Sequence, residues 1–165
     1  MWRSLILLTA VVPVAACGSN GDSGTTITIN STDSDGNVVA RADGASGKVS
    51  VDLPGFSGEL KLPKIHLDAE DFDLNGVHLY PGSQIANMAV DAKGDKGGVV
   101  TVDFDSPADP ATVRDWFNGK LGAAGFSLTT KGDGLVGTTD EGKPFRLDIT
   151  PAAGGHATGK IVVSG

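Results

Sequence analysis

Through the first half of this chain apolar and polar residues alternate singly, and turn-forming pairs interrupt them every few residues. Val49, Val51 and Leu53 alternate with Lys48, Ser50 and Asp52, and Leu60 and Leu62 alternate with Glu59 and Lys61. Ile65 and Leu67, Phe72 and Leu74, and Val77 and Leu79 keep the same spacing. A period of two places the apolar members of a run on one face of a strand, which that face can half-bury. Asp-Gly at 35–36 and 43–44, Pro54-Gly55 and Asn75-Gly76 are turn signals between or within the runs. No helical period competes, so residues 27–80 are expected to form a β-rich segment.

Residues 81–165 differ. Ile85–Ala92 and Val99–Phe104 read as strands joined by the turn around Gly94-Asp95-Lys96-Gly97. The spacing then predicts a helix over 110–124. Asp109 is a good N-cap and Pro110 suits the first helical position. Val113, Phe117 and Leu121 recur every fourth residue with Trp116 alongside, and Gly125 supplies a left-handed stop. Gly119 and Gly122 inside the helix cost about 1 kcal/mol each relative to alanine, so the helix depends on docking its stripe. Strands are expected near Phe126–Thr130, Leu135–Thr139, Phe145–Thr150 and Gly159–Val163. The fold class is therefore α+β. A β-rich N-terminal half precedes a mostly antiparallel sheet with one helix packed on one face, in the order β-β-α-β-β-β-β.

The amino-terminal residues carry an address. Arg3 and the amino terminus precede an apolar stretch from Leu5 to Val14, which is too short to span ~30 Å of hydrocarbon as a helix. Val14-Ala15-Ala16-Cys17 resembles the lipobox of bacterial lipoprotein signal peptides. That resemblance implies that residues 1–16 are removed as a signal peptide and that Cys17 carries acyl chains, palmitate among them. An ordinary secretory signal is the alternative. Two or more chains at ~0.8 kcal/mol per buried CH₂ hold a protein on a bilayer. Gly18 stands where aspartate would retain an enteric lipoprotein in the inner membrane, which points to the periplasmic face of the outer membrane. Residues 17–26 read as a flexible, polar, glycine-rich tether.

Removing residues 1–16, whose one charged side chain is Arg3, leaves 12 Lys+Arg against 20 Asp+Glu, a net charge of −8. Such acidity argues against nucleic acid and against charge-driven docking on anionic headgroups, so membrane attachment is expected through the Cys17 lipid. With that sole cysteine acylated, no disulfide or cysteine metal site remains.

LYPGS at 79–83, a strand, and then DSPADPATVRDWFNGKLGAAGFSL together resemble an uncharacterised bacterial envelope module with a Y-P-G strand–helix pattern. The resemblance covers residues 79–128. It implies the strand–helix fold and a location in lipoproteins and secreted proteins, and its motif is packing and capping. The first half more loosely resembles the strand repeats of envelope head domains that wind into β-solenoids.

Candidate chemistry is sparse. Ser31, Asp33, Asp35 and Gly36 match part of a calcium loop, but Ala42 stands where its closing glutamate belongs. His66 and His78, with Asp68, Asp71 and Asp73 between them, would hold zinc only if they converged. Both sets are low-ranking metal candidates against a solvated turn and surface histidines, so neither metal nor cofactor is expected. Gly55-Phe56-Ser57-Gly58 has its second glycine one residue early for a nucleophile elbow. Tyr80-Pro81 reads as a hinge between the halves. No acid, base and nucleophile set is assembled, so the chain is expected not to be an enzyme. The expectation is a non-catalytic, membrane-anchored envelope lipoprotein. It would act as a structural or protein-interaction module, with an edge of the β-rich half accepting an envelope protein's strand. The alternative is a small-ligand or lipid-binding module, with a cavity between helix 110–124 and the sheet lined by Trp116 and Phe117.

Overall fold

The computed structural model describes residues 24–33, 36–64, 66–92 and 97–165. Four strands, β1 (Thr26–Asp33), β2 (Gly36–Asp43), β3 (Lys48–Leu53) and β4 (Phe56–Lys61), form an antiparallel meander. The two-residue β5 (Leu67–Asp68) leads through turns to β6 (Gln84–Ala92) and β7 (Gly98–Ser106). After α1 (Pro110–Ala123) come β8 (Ser127–Lys131), β9 (Gly134–Thr138), β10 (Pro144–Pro151) and β11 (Ala157–Ser164). All join one mixed sheet in the order β4-β3-β2-β1-β6-β7-β11-β10-β9-β8, with β5 paired to β6.

This is a β-rich α+β chain with one helix among the described residues, as expected at that level. The finer order drawn from sequence left out two features. β1 enters the sheet beside β6 through a parallel ladder, Thr26 opposite Asn87 through Ser31 opposite Ala92. β5 adds a further pairing to β6. Thr25, 2% exposed, secures that junction: its hydroxyl donates to the Ile85 carbonyl at 2.6 Å and accepts the Leu67 amide at 3.0 Å.

Strand register carries one side-chain parity across the whole sheet. Leu60, Val49, Ala42, Ile27, Met88, Val102, Ile161, Leu147 and Leu135 are successive cross-strand partners from β4 to β9. Because alternate residues point to opposite faces, these nine apolar residues form one row on one face. The neighbouring row, Glu59, Ser50, Arg41, Thr28, Ala89 and Thr101, is polar but for Ala89 and points the other way. A bulge between Ile85 and Asn87 shifts the alternation by one, so Ile85 and Met88 both reach the apolar face.

Two layers cover part of that face. The first is α1, whose Val113, Phe117 and Leu121 are fully buried with Phe104, Leu135 and Leu147. Its ends match the sequence reading. Asp109 Oδ1 accepts from the Ala111 and Thr112 amides at 3.0 and 3.1 Å. Gly125, at φ +93°, closes a Schellman turn: the Phe126 amide donates to the Leu121 carbonyl and the Gly125 amide to that of Gly122.

The second cover is the segment from Leu67 to Leu79, where the expected strands at 72–79 are corrected. It consists of turns, with the two-residue β5 and an isolated bridge between Leu74 and Val77. Aspartates explain this, because their side chains bond local backbone amides that a ladder would otherwise use. The Asp68 amide donates to Asp71 and the Gly76 amide to Asp73. Asn75 and Gly76 are both left-handed, at φ 55° and 76°, as a tight two-residue hairpin turn requires. Ala69, Phe72, Val77 and Leu79 still face inward and are buried against Ile85 and its neighbours.

Candidate functional site

Neither cover reaches β1–β4. Of the nine-residue apolar row, Val102, Ile161, Leu147 and Leu135 are at most 1% exposed, whereas Leu60 at its other end is 59% exposed. On the same face, Phe56 is 63% exposed, Ile29 43%, Leu53 41%, Leu62 40% and Val100 38%. Half-buried Val38, Ala40, Val49 and Val51 lie among them. Contiguous apolar patches of this size mark contact surfaces. The patch also ends at β4, the outermost strand, whose outer backbone groups have no ladder partner among the described residues.

A groove of about 340 Å³ separates the 71–74 turn from β6, β7 and β11 of the sheet. Phe72, Leu74, Met88, Val102, Ile161 and Val163 line it, with Asp71 and Asp73 at its lip. On the opposite face a hollow of about 360 Å³ lies over Gly159, framed by Asp103, Asp148 and Lys160. The Lys160 ammonium stands 3.3 Å from Asp103, and Asn87 donates to the same carboxylate at 3.0 Å. Arg146 grips Asp148 with two hydrogen bonds of 2.6 Å.

The residues singled out from sequence fall as follows. Cys17, the lipobox and Asp35 lie outside the described residues, as does the side chain of Asp33, which ends β1. His66 and His78 are exposed, the first just before β5 and the second after the Leu74–Val77 bridge, with its Nδ1 2.8 Å from the Phe72 carbonyl oxygen. They do not stand on neighbouring long strands. Among the described residues no three His, Cys, Asp or Glu side chains are grouped as a metal set. Phe117 is fully buried, its ring 5.8 Å from that of Phe104, so it fills the space expected to be a cavity under α1. Trp116 lies half-buried, in edge contact with Tyr80 at 5.6 Å and beneath the Lys120 ammonium at 4.9 Å. Tyr80 itself starts a turn closed by the Ser83 amide donating to its carbonyl. The Y-P-G motif is thus a turn pinned against α1.

Among the described residues three carboxylates have displaced pKa values, all downward. The Thr112 hydroxyl and then the Thr112 amide lower Asp109; the Ser46 amide and hydroxyl lower Asp43; the Arg146 guanidinium lowers Asp148. Each is held charged by a cap, a turn or an ion pair, whereas a general acid needs its pKa raised. Charge is unevenly spread: residues 36–64 carry four Lys+Arg against three Asp+Glu, net +1, leaving −8 for the remainder of the −7 chain. The wing as a whole, residues 26–61, still carries three Lys+Arg against five Asp+Glu, net −2. Among the described residues no helix is long and apolar enough to cross a membrane. Comparison with protein-family models, with curated proteins and with solved structures finds no match.

What the sequence could not reveal was this wing. Its residues alternate like those of the buried strands, and the local sequence carries no mark of which face stays uncovered.

Proposed function

We propose that this chain is a non-catalytic envelope lipoprotein, held by acyl chains on Cys17 at the periplasmic face of the outer membrane. It acts as a structural or protein-interaction module. Its contact surface is the apolar wing β1–β4 with the free edge of β4, and the finer β-β-α-β-β-β-β unit from residue 84 onward is the scaffold that holds it. The observation that carries this reading is the pair Phe56 and Leu60, 63% and 59% exposed on the edge strand. The lipobox supports the anchor. Replacing Cys17 with serine is expected to move the protein from the membrane fraction to the soluble or unprocessed pool. A photo-crosslinking side chain at Leu60 is expected to capture protein, whereas one at Glu59, on the other face of β4, captures none. Equal capture at both positions, or none, would overturn the reading.

A second reading has its own observation. The groove beside Phe72 and Leu74 is apolar and open, so a lipid or small apolar ligand suits it better than the filled space under α1. Saturable binding of a fluorescent fatty acid, lost in Val102→Trp, would support it. Binding unaffected by that substitution would refute it.

A further inference from the structure

We propose that the occupant of the wing is a second copy of this chain, packed face to face to complete a two-layer β-sandwich about a twofold axis along β3. This rests on the interaction reading above and names its partner. Area is the first argument. Exposed Leu53, Phe56, Leu60 and Leu62, with half-buried Val38, Ala40, Ala42, Val49 and Val51 beside them, offer roughly 600 Å² per copy, near the low end of the ~1,200–2,000 Å² total of a specific interface. Sheets also pack on sheets about 10 Å apart, so a second wing would add to β2–β4 a layer that neither α1 nor the 67–79 segment supplies.

Charge is the second argument. Two mature copies at −8 repel, and the apolar face of β2–β4 presents none of their charged strand residues, since Arg41, Asp43, Lys48, Asp52, Glu59 and Lys61 all alternate onto the other face, so the copies meet there without burying a charge. Shape agrees. A twofold along β3 sets β4 of each copy over β2 of the other, so Phe56 and Leu60 meet the smaller Val38 and Ala42, which share their register rows.

The anchor selects the axis. Two copies acylated into one leaflet can be related only by rotation about the membrane normal. An axis along β3 preserves strand direction, so both β1 strands begin at the same end and both tethers leave toward one bilayer. Cys17 to Thr25 is eight residue steps, a reach of at most about 29 Å.

The test uses full-length protein in membranes of its own host, with Cys17 intact. A Leu60→Cys variant treated with a short bis-maleimide is expected to give a product of twice the chain mass, at least tenfold above a Glu59→Cys control. Adding Phe56→Glu should abolish that product while leaving the melting temperature unchanged. A Leu60→Cys product of any other mass overturns the self-pairing and keeps the interaction reading. Labelling of Leu60→Cys by a membrane-embedded lipid probe, without protein adduct, overturns self-pairing in favour of a lipid surface. A thiol at 60 that no reagent reaches means the chain's own residues cover the wing, and both readings fall.

Discussion

Gly159 offers the sharpest test of the sheet-to-helix packing that holds the wing in place. It sits on β11 directly opposite Phe104 of β7. A Cβ built at Gly159 would overlap Cζ and Cε1 of the Phe104 ring and stand 2.7 Å from Cε2, closer than real Cβ atoms approach. Phe104 is 1% exposed and its ring rests against Phe117, itself fully buried, so it has nowhere to swing. One methyl group therefore forces a backbone shift between β7 and β11. Overpacking of this kind costs about 1–3 kcal/mol, or roughly 2–10 °C in melting temperature for a chain of this length. Thermal or urea unfolding of Gly159→Ala measures it. Phe104→Leu shortens the obstructing ring at its own cavity cost, so the double variant should be more stable than the two single losses predict, with a coupling of about 1 kcal/mol or more. A Gly159→Ala protein as stable as wild type, or strictly additive losses, would refute the packing described between β7 and β11.

Other outcomes follow from single positions. Gly119→Ala and Gly122→Ala should each stabilise by about 1 kcal/mol, since both are exposed in α1 and a methyl there meets nothing within 4 Å; a lowered melting temperature would contradict the helix. Thr25→Val leaves the Ile85 carbonyl and the Leu67 amide without their buried partner and should cost about 1–3 kcal/mol in urea unfolding, most of it absent if β1 does not dock beside β6. Asp148 has its folded pKa lowered by Arg146, so its contribution is present above the unfolded value of about 3.9 and is lost as pH falls through the lower folded value. Acid unfolding below about pH 4 should therefore be less steep in Asp148→Asn, and an identical acid limb in the variant would count against that ion pair.

What could be read in advance was local. The cap at Asp109, the stop at Gly125 and the stripe Val113-Phe117-Leu121 depend on contacts within a few residues, and the helix lies where they place it. Alternation likewise told which residues share a face. It could not tell whether that face would be covered. Leu147 and Leu60 both alternate with polar neighbours in the same cross-sheet row, yet one is fully buried and the other 59% exposed. The parallel pairing of β1 with β6 joins residues some sixty positions apart and left no local trace. At 72–79 a strand-like pattern gave way to turns because Asp71 and Asp73 bind nearby amides, a competition that periodicity does not register.

If the strands stand along the membrane normal with the Thr26 end toward the bilayer, depth becomes predictable along each of them. The turn between β2 and β3, with Ala45 exposed at its tip, lies at the Thr26 end, because Asp43 pairs with Lys48 one step below the Ile27–Ala42 pair. Ser57 lies near the opposite end of β4, beside the Pro54-Gly55 tip. The six residues of β3 separate these levels by about 20 Å at 3.3 Å per residue. A fluorophore on Ala45→Cys in acylated full-length protein should therefore be quenched strongly by vesicles carrying a headgroup quencher, and one on Ser57→Cys weakly. Quenching over such distances falls steeply, so even a loosely tethered copy keeps the order as long as the axis is upright. Should the wing instead lie flat on the lipid with its apolar face down, both positions would sit at one depth and quench alike. Reversal, with Ser57 deeper, would mean that the tether folds back along β1. Equal or reversed quenching each removes the upright axis, and with it the reason two anchored copies would present their wings to one another.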